Sequence, residues 1–236
     1  MNIPTISGVI RRRLLLNYRI DPEIVTPLLP KGFRPKLVQG YAIAGICLIR
    51  LEKVRPKGLP EFLGIASENS AHRIAVEWEN DQEGVFVPRR DTDSRLNALA
   101  GGRIFPGVHH LSDFSVSDTE GEIGIKVRHQ GETLLEVTAK EADKLPDNSI
   151  FGSLTESSAF FEAGCIGYSA RPDSCVLDGL LLKVDDWQAS ALAVSRIRSL
   201  YFDDHSLFPE GSITFDHGLL MRDIAHEWHS EPKIRP

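Results

Sequence analysis

The chain has 236 residues, 42% hydrophobic and 25% charged, and a formal net charge of −6. This is enough apolar material for one large β-rich core, so a single domain over residues 1–236 is expected. Lysine and arginine are spread along an acidic chain, which excludes the basic stripe that a nucleic-acid backbone requires; no run approaches the ~20 apolar residues of a spanning helix, and a cytoplasmic protein without a membrane partner is expected.

Ile6 to Ile20 reads as a strand. It contains Arg11-Arg12-Arg13 before Leu14-Leu15-Leu16, but Asn17, Tyr18 and Arg19 interrupt the apolar run too soon for a signal peptide. Asp21-Pro22 caps a short helix through Leu29, closed by Pro30-Lys31-Gly32. Phe33 to Val38 and Tyr41 to Leu51 form a hairpin about Gly40, followed by a loop from Pro56 to Pro60. Ala71 to Trp78 alternates as a strand, with His72, Ile74, Val76 and Trp78 on one side and Arg73, Ala75 and Glu77 on the other. Gly84 to Val87 is the next strand and ends at Pro88. A short helix follows, with Asp91 or Asp93 as its cap, Leu96, Leu99 and Ala100 on one face, and Gly101-Gly102 as its stop. Phe105-Pro106-Gly107 turns the chain into a β-meander of Val108 to Ser117, Glu122 to His129 and Thr133 to Ala139. Thr155 to Ala163 reads as a helix, and Cys165 to Ser169 and Leu177 to Val184 as strands. A helix from Trp187 to Leu200 and a hairpin of Ser212 to Leu220 with Ile224 to Trp228 complete the chain. About ten short strands without a βαβ rhythm or a Gly-rich nucleotide loop point to a mainly β (α+β) fold with an antiparallel closed or sandwich sheet.

The densest chemistry lies between Gly84 and Val116. His109 and His110 are neighbours on a strand, so they face opposite sides and only one can look into a barrel. The pattern does not decide which. An inward histidine near a carboxylate can act as general acid or base, and the alternative is a strand histidine satisfied by a neighbour. Arg89, Arg90 and Arg103 can clamp a substrate carboxylate, or else form a salt-bridge network with Asp91, Asp93 and Asp113. Cys47, Cys165 and Cys175 are an odd count without CxxC spacing and read as reduced thiols, with Cys47 a small core hydrophobe. His226-Glu227-Trp228-His229 lacks the HExxH spacing, so neither a metal nor a cofactor is expected. Asp216-His217 is expected at the surface, and Lys126 and Lys140 are expected to point at solvent.

Asp21-Pro22-Glu23 through Phe33, the strand from Tyr41 leading to Val54–Pro60, and Pro88-Arg89-Arg90-Asp91-Thr92 resemble the uncharacterised branch of the acetoacetate decarboxylase-like superfamily. The resemblance covers most of the chain. It implies a cone-shaped, largely antiparallel closed β-barrel with short peripheral helices and an internal ligand cavity. The decarboxylases use a Schiff-base lysine in a lysine pair directly after a Gly-aromatic-Pro turn. Here Phe105-Pro106 is followed by Gly107 and Val108, so that nucleophile is missing. Glu68 corresponds to the family's strand glutamate. The reading is a barrel that binds a small organic acid or other small polar metabolite, with Arg103 and one of Arg89 or Arg90 holding anionic groups. If it catalyses a reaction, the reaction is lyase-like or hydrolase-like, with His109 or His110 transferring protons and Asp91, Asp93 or Glu68 orienting the imidazole. The alternative is a non-catalytic ligand-binding or scaffold barrel whose Arg/Asp cluster only closes the fold. The apolar segment from Ala189 to Leu200 could join copies into a homo-oligomer, though the same face is needed for packing.

Overall fold

The computed structural model describes residues 4–100, 106–119, 121–171 and 174–235. The first strand, β1 (Ile6–Ile20), leads into α1 (Pro22–Val25), whose cap is the Asp21 carboxylate accepting from the Glu23 amide at 2.9 Å. Two short strands, β2 (Arg34–Pro35) and β3 (Leu37–Val38), precede the long β4 (Tyr41–Pro56), β5 (Ile65–Trp78) and β6 (Gln82–Thr92). Then come α2 (Arg95–Ala100), β7 (His109–Leu111), β8 (Asp113–Thr119), β9 (Glu122–His129) and β10 (Glu132–Ala142). The chain continues through α3 (Leu154–Ala163), β11 (Ile166–Arg171), β12 (Ser174–Val184), β13 (Ser190–Ser199) and β14 (Ile213–Ile234).

Seven of these strands close on themselves in the order β1-β4-β5-β6-β11-β12-β14, and β14 returns to β1. All neighbours in this ring are antiparallel except β6 and β11, which makes the barrel mixed. The remaining long strands form a wing, β13-β10-β9-β8, attached where Ser190 to Leu192 pairs with Gly218 to Leu220 of β14. The wing covers one outer side of the barrel. Leu14, Leu16, Ile46, Leu48, Ile74 and Val76 of the barrel join Ile123, Ile125, Val127, Leu135 and Val137 of the wing in one core. The opposite faces of the same strands supply Leu15, Ile43, Cys47 and Ala75, which meet Phe151 and Phe161 inside. Both faces of the middle of β1 and β4 are therefore dry, which explains the apolar runs Leu14 to Leu16 and Ala42 to Leu48.

Three expectations are corrected. Trp187 to Leu200 is not a helix; residues 190–199 are strand β13. The pairing with β10 slips between Thr138 and Ala139, leaving Ser195 as an extra bulge residue. The bulge changes the spacing of Leu192, Val194 and Ile197 from two to three, which imitates a helical period. The final hairpin is instead one 22-residue strand, β14, which continues through Asp223 at φ 55 while staying paired with β1 on both sides. Finally, β6 does not stop at Pro88. The proline occupies an exposed position in a register shift, where its missing donor is tolerated, so Arg89 to Thr92 remain strand.

Candidate functional site

A cavity of about 170 Å³ opens inside the barrel. Its wall begins with the cross-strand row Leu15, Cys47, Ala71 and Arg90, contributed by β1, β4, β5 and β6. Two residues along β1 and β5 come Arg13 and Arg73, which point the same way because side chains alternate along a strand. Phe160 and Phe161 of α3 complete the apolar side.

Three guanidiniums therefore enter one small space. Arg13 Nε donates to Cys47 Sγ at 3.4 Å, and its guanidinium lies 5.3 Å from the Trp187 ring centre. Arg73 is 4% exposed; it donates to Asn17 Oδ1 and stacks 4.5 Å over Phe161, while its Nε has no partner. Arg90 Nε donates to Ser169 Oγ at 3.2 Å. Burial lowers both Arg73 and Arg90 to about 10, and both remain cations at neutral pH. Among the described residues, no carboxylate lies within ion-pair distance of these three arginines.

His109 borders the same cavity beside Arg90, its register partner on β6. Its Nδ1 lies 3.3 Å from the Gly107 carbonyl. Burial, reinforced by the Arg90 charge, pushes it down to about 4, so the imidazole is neutral at pH 7. Gly107 has φ +77, and a Cβ there would stand 2.8 Å from that of Ser169. Only glycine allows this turn to approach the residue that holds Arg90.

The other sequence candidates occupy different surroundings. His110 lies beside His129, with ring centres 5.6 Å apart, and burial lowers its pKa. Arg89 turns away from the cavity and forks onto Asp91 at 3.0 and 2.9 Å. Asp91 is buried at the cavity edge and also accepts from Ser112 Oγ at 2.9 Å. Glu68 faces outward and is held by Arg12 Nη2 at 2.8 and 3.0 Å; burial raises its pKa against the pull of Arg12. Asp93 ties β5 to the end of β6 by accepting from the Glu68 amide at 3.0 Å. Neither aspartate caps α2. That role falls to Ser94, whose Oγ accepts from the Asn97 amide at 3.3 Å. Arg103, together with Gly101, Gly102 and Phe105, lies outside the described residues.

Asp216 and His217 are not at the surface, being 2% and 0% exposed. His217 Nδ1 lies 2.6 Å from Asp216 Oδ2, and its Nε2 lies 2.7 Å from Ser157 Oγ and 3.0 Å from Asn17 Nδ2. Asp216 also accepts from Ser149 Oγ, the Ile150 amide and Arg19. Burial pushes the Asp216 carboxyl up, but the bonds from His217, Ser149 and Ile150 outweigh it and hold the group below the ordinary range. The network fastens α3 to β1 and β14, and through Asn17 it reaches Arg73. Lys36 borders the cavity as well, but its ammonium is paired with Glu83 and lies 4.3 Å over the Phe160 ring.

Sequence reasoning missed Arg13, Arg73 and Cys47 as cavity residues. The available signal was the Arg73, Ala75 and Glu77 set on β5, where a charged residue alternates with the face that packs under the wing.

Comparison with known proteins agrees with this architecture. The acetoacetate decarboxylase of Legionella pneumophila subsp. pneumophila str. Philadelphia 1 superposes with a TM-score of 0.66 at 13% identity, covering 99% of this chain and 90% of that one. An acetoacetate decarboxylase-like enzyme from Sphingomonas wittichii RW1 gives 0.63 at 13% identity, covering 100% and 94%. The enduracididine biosynthesis enzyme MppR complexed with pyruvate gives 0.60 at 12% identity, covering 98% and 88%. These likenesses show the fold. A search of curated proteins finds no match. The DUF2071 family model, described as an uncharacterized conserved protein, matches residues 9–171, and the chain belongs to that family.

Proposed function

We propose that the barrel binds a small organic acid in the cavity between Arg13, Arg73 and Arg90. The observation that carries this reading is the set of three guanidiniums without a carboxylate partner among the described residues. A buried cation such as Arg73 is costly unless an anion completes it, and a guanidinium fork matches a carboxylate. The ligand's carboxylate supplies the missing charge, and Phe160 and Phe161 face its carbon skeleton. Neutral His109, next to Arg90, accepts a proton if the bound acid reacts, and Asp91 lies at the same edge. Arg103 remains a further anion ligand in this reading. MppR, which shares the fold, is found complexed with pyruvate, and this favours 2-oxo acids within the class.

The test is a thermal-shift panel of 2-oxo, hydroxy and dicarboxylic acids, each paired with its neutral amide, on the wild type and on Arg73→Met, Arg90→Met and Arg103→Ala. An acid at a hundredfold its Kd adds about 2.7 kcal/mol, or roughly 5–10 °C for a chain of this size. The expected result is stabilisation by acids but not amides, lost in Arg73→Met and Arg90→Met. No stabilisation by any acid, or equal shifts in those two variants, overturns the reading.

A further inference from the structure

Cys47 occupies the middle of β4 on its inward face and is 9% exposed. Its Sγ accepts from Arg13 Nε at 3.4 Å, and the charges of Arg73 and Arg90 also reach it. A core methyl group would fill this position but would offer Arg13 Nε no acceptor. Cys47 is buried from bulk solvent but stands on the cavity wall with Arg13, Arg73 and Arg90, and an electropositive setting of this kind favours reaction of a thiol. A second observation points to a ligand at the same place: the buried Arg73 side chain borders the cavity with its Nε unpartnered. Cys165 provides an internal contrast. It too borders the cavity, but its Sγ lies 3.7 Å from the Phe161 carbonyl oxygen, and burial raises its thiol.

We propose that Cys47 is the nucleophile of this cavity and adds through Sγ to the carbonyl carbon of a small 2-oxo acid whose carboxylate the arginines hold. The proposal rests on the anion-binding reading above. In the step, a sulfur–carbon bond forms and the carbonyl π bond breaks. Its electron pair moves to oxygen, which takes the thiol proton to give a thiohemiketal. The addition is reversible and needs no oxidant or further reactant.

Iodoacetate and iodoacetamide test this on the intact chain, because they differ in the carboxylate while sharing the electrophilic carbon. In either reaction the sulfur–carbon bond forms, iodide leaves and the thiol proton passes to solvent. Peptide mass spectrometry reads the rates at Cys47 and Cys165. The ratio of iodoacetate to iodoacetamide rates at Cys47 should exceed that in the urea-unfolded chain by about tenfold, the low end of what a focused positive field gives. Pyruvate should slow the reaction, and Arg73→Met should remove the preference. With pyruvate labelled with carbon-13 at C2, the wild type should give a protein-bound tetrahedral carbon resonance that Cys47→Ala lacks. Acids that stabilise the protein while Cys47 stays inert, or reacts with the unfolded-chain ratio, overturn the nucleophile and leave the anion site standing. Fast alkylation without charge preference, together with no stabilisation by acids, overturns both.

Discussion

Replacing His72 with leucine should flatten the acid side of the stability curve. His72 is 3% exposed on the outer face of β5, with both ring nitrogens unpartnered and the rings of Tyr201 and Phe202 at 4.9 and 5.7 Å. Burial pushes it down to about 4, with Asp91 opposing and Arg89 reinforcing the shift. Above pH 6.5 the imidazole is neutral in both folded and unfolded chains and adds no pH dependence. Between pH 6.5 and about pH 4 the unfolded chain takes up a proton that the folded chain refuses, so stability falls as the pH falls. At 1.36 kcal/mol per unit, the interval amounts to about 3 kcal/mol. Urea midpoints from about pH 7.5 down to about pH 4.5 provide the measurement. His72→Leu should match or exceed the wild type at neutral pH, since it removes two unsatisfied polar atoms, and should lose about 2.5 kcal/mol less over this pH range. His226, equally buried and also pushed down to about 4, is common to both proteins, so their difference isolates His72. Identical slopes for the two proteins would refute the argument.

Two further substitutions probe the framework of the cavity. Asp216→Ala strips the acceptor shared by His217, Ser149, Ile150 and Arg19, and should cost about 3–5 kcal/mol in urea unfolding; a loss under about 1 kcal/mol would mean that the network does not hold α3 in place. Gly107→Ala places a side chain at φ +77 and 2.8 Å from the Ser169 Cβ. It should destabilise by about 1–3 kcal/mol and weaken binding of organic acids by displacing the partner of Arg90, and unchanged affinity would detach the turn from the site.

The elements legible in the sequence are those whose alternation is unbroken. The bounds of β1 and β9 match the sequence reading, and α3 starts one residue before the expected Thr155 because Ser153 caps it. The misread segments share one cause. Ser195, the stretch around Pro88, and Asp223 each interrupt a strand without ending it, and a pattern read locally treats an interruption as a boundary or as a different period. The site was legible only on β6 and β7, where Arg90, Asp91 and His109 stand close together in the chain. Arg13, Cys47 and Arg73 are 34 and 26 residues apart in turn and meet only through the β1-β4-β5 pairing. Because the wing dries the outer face of these strands, polarity no longer distinguishes inside from outside.

The pairing of β1 with β14 has a consequence for how the protein is made. Ile6 is opposite Trp228, and Ile20 is opposite Ile213, so β1 leaves the ribosome long before its second neighbour is made. Until then one edge of β1 is unsatisfied, with Leu14, Leu15 and Leu16 at its centre, and the entropy of closing so long a loop delays the join further. Arginine at positions 11 to 13 and at 19 flanks that stretch with charge during the wait, where it opposes edge-to-edge association of nascent chains. The same cations then have a second use once the ring closes, with Arg13 turned inward to the cavity and Arg12 outward to Glu68.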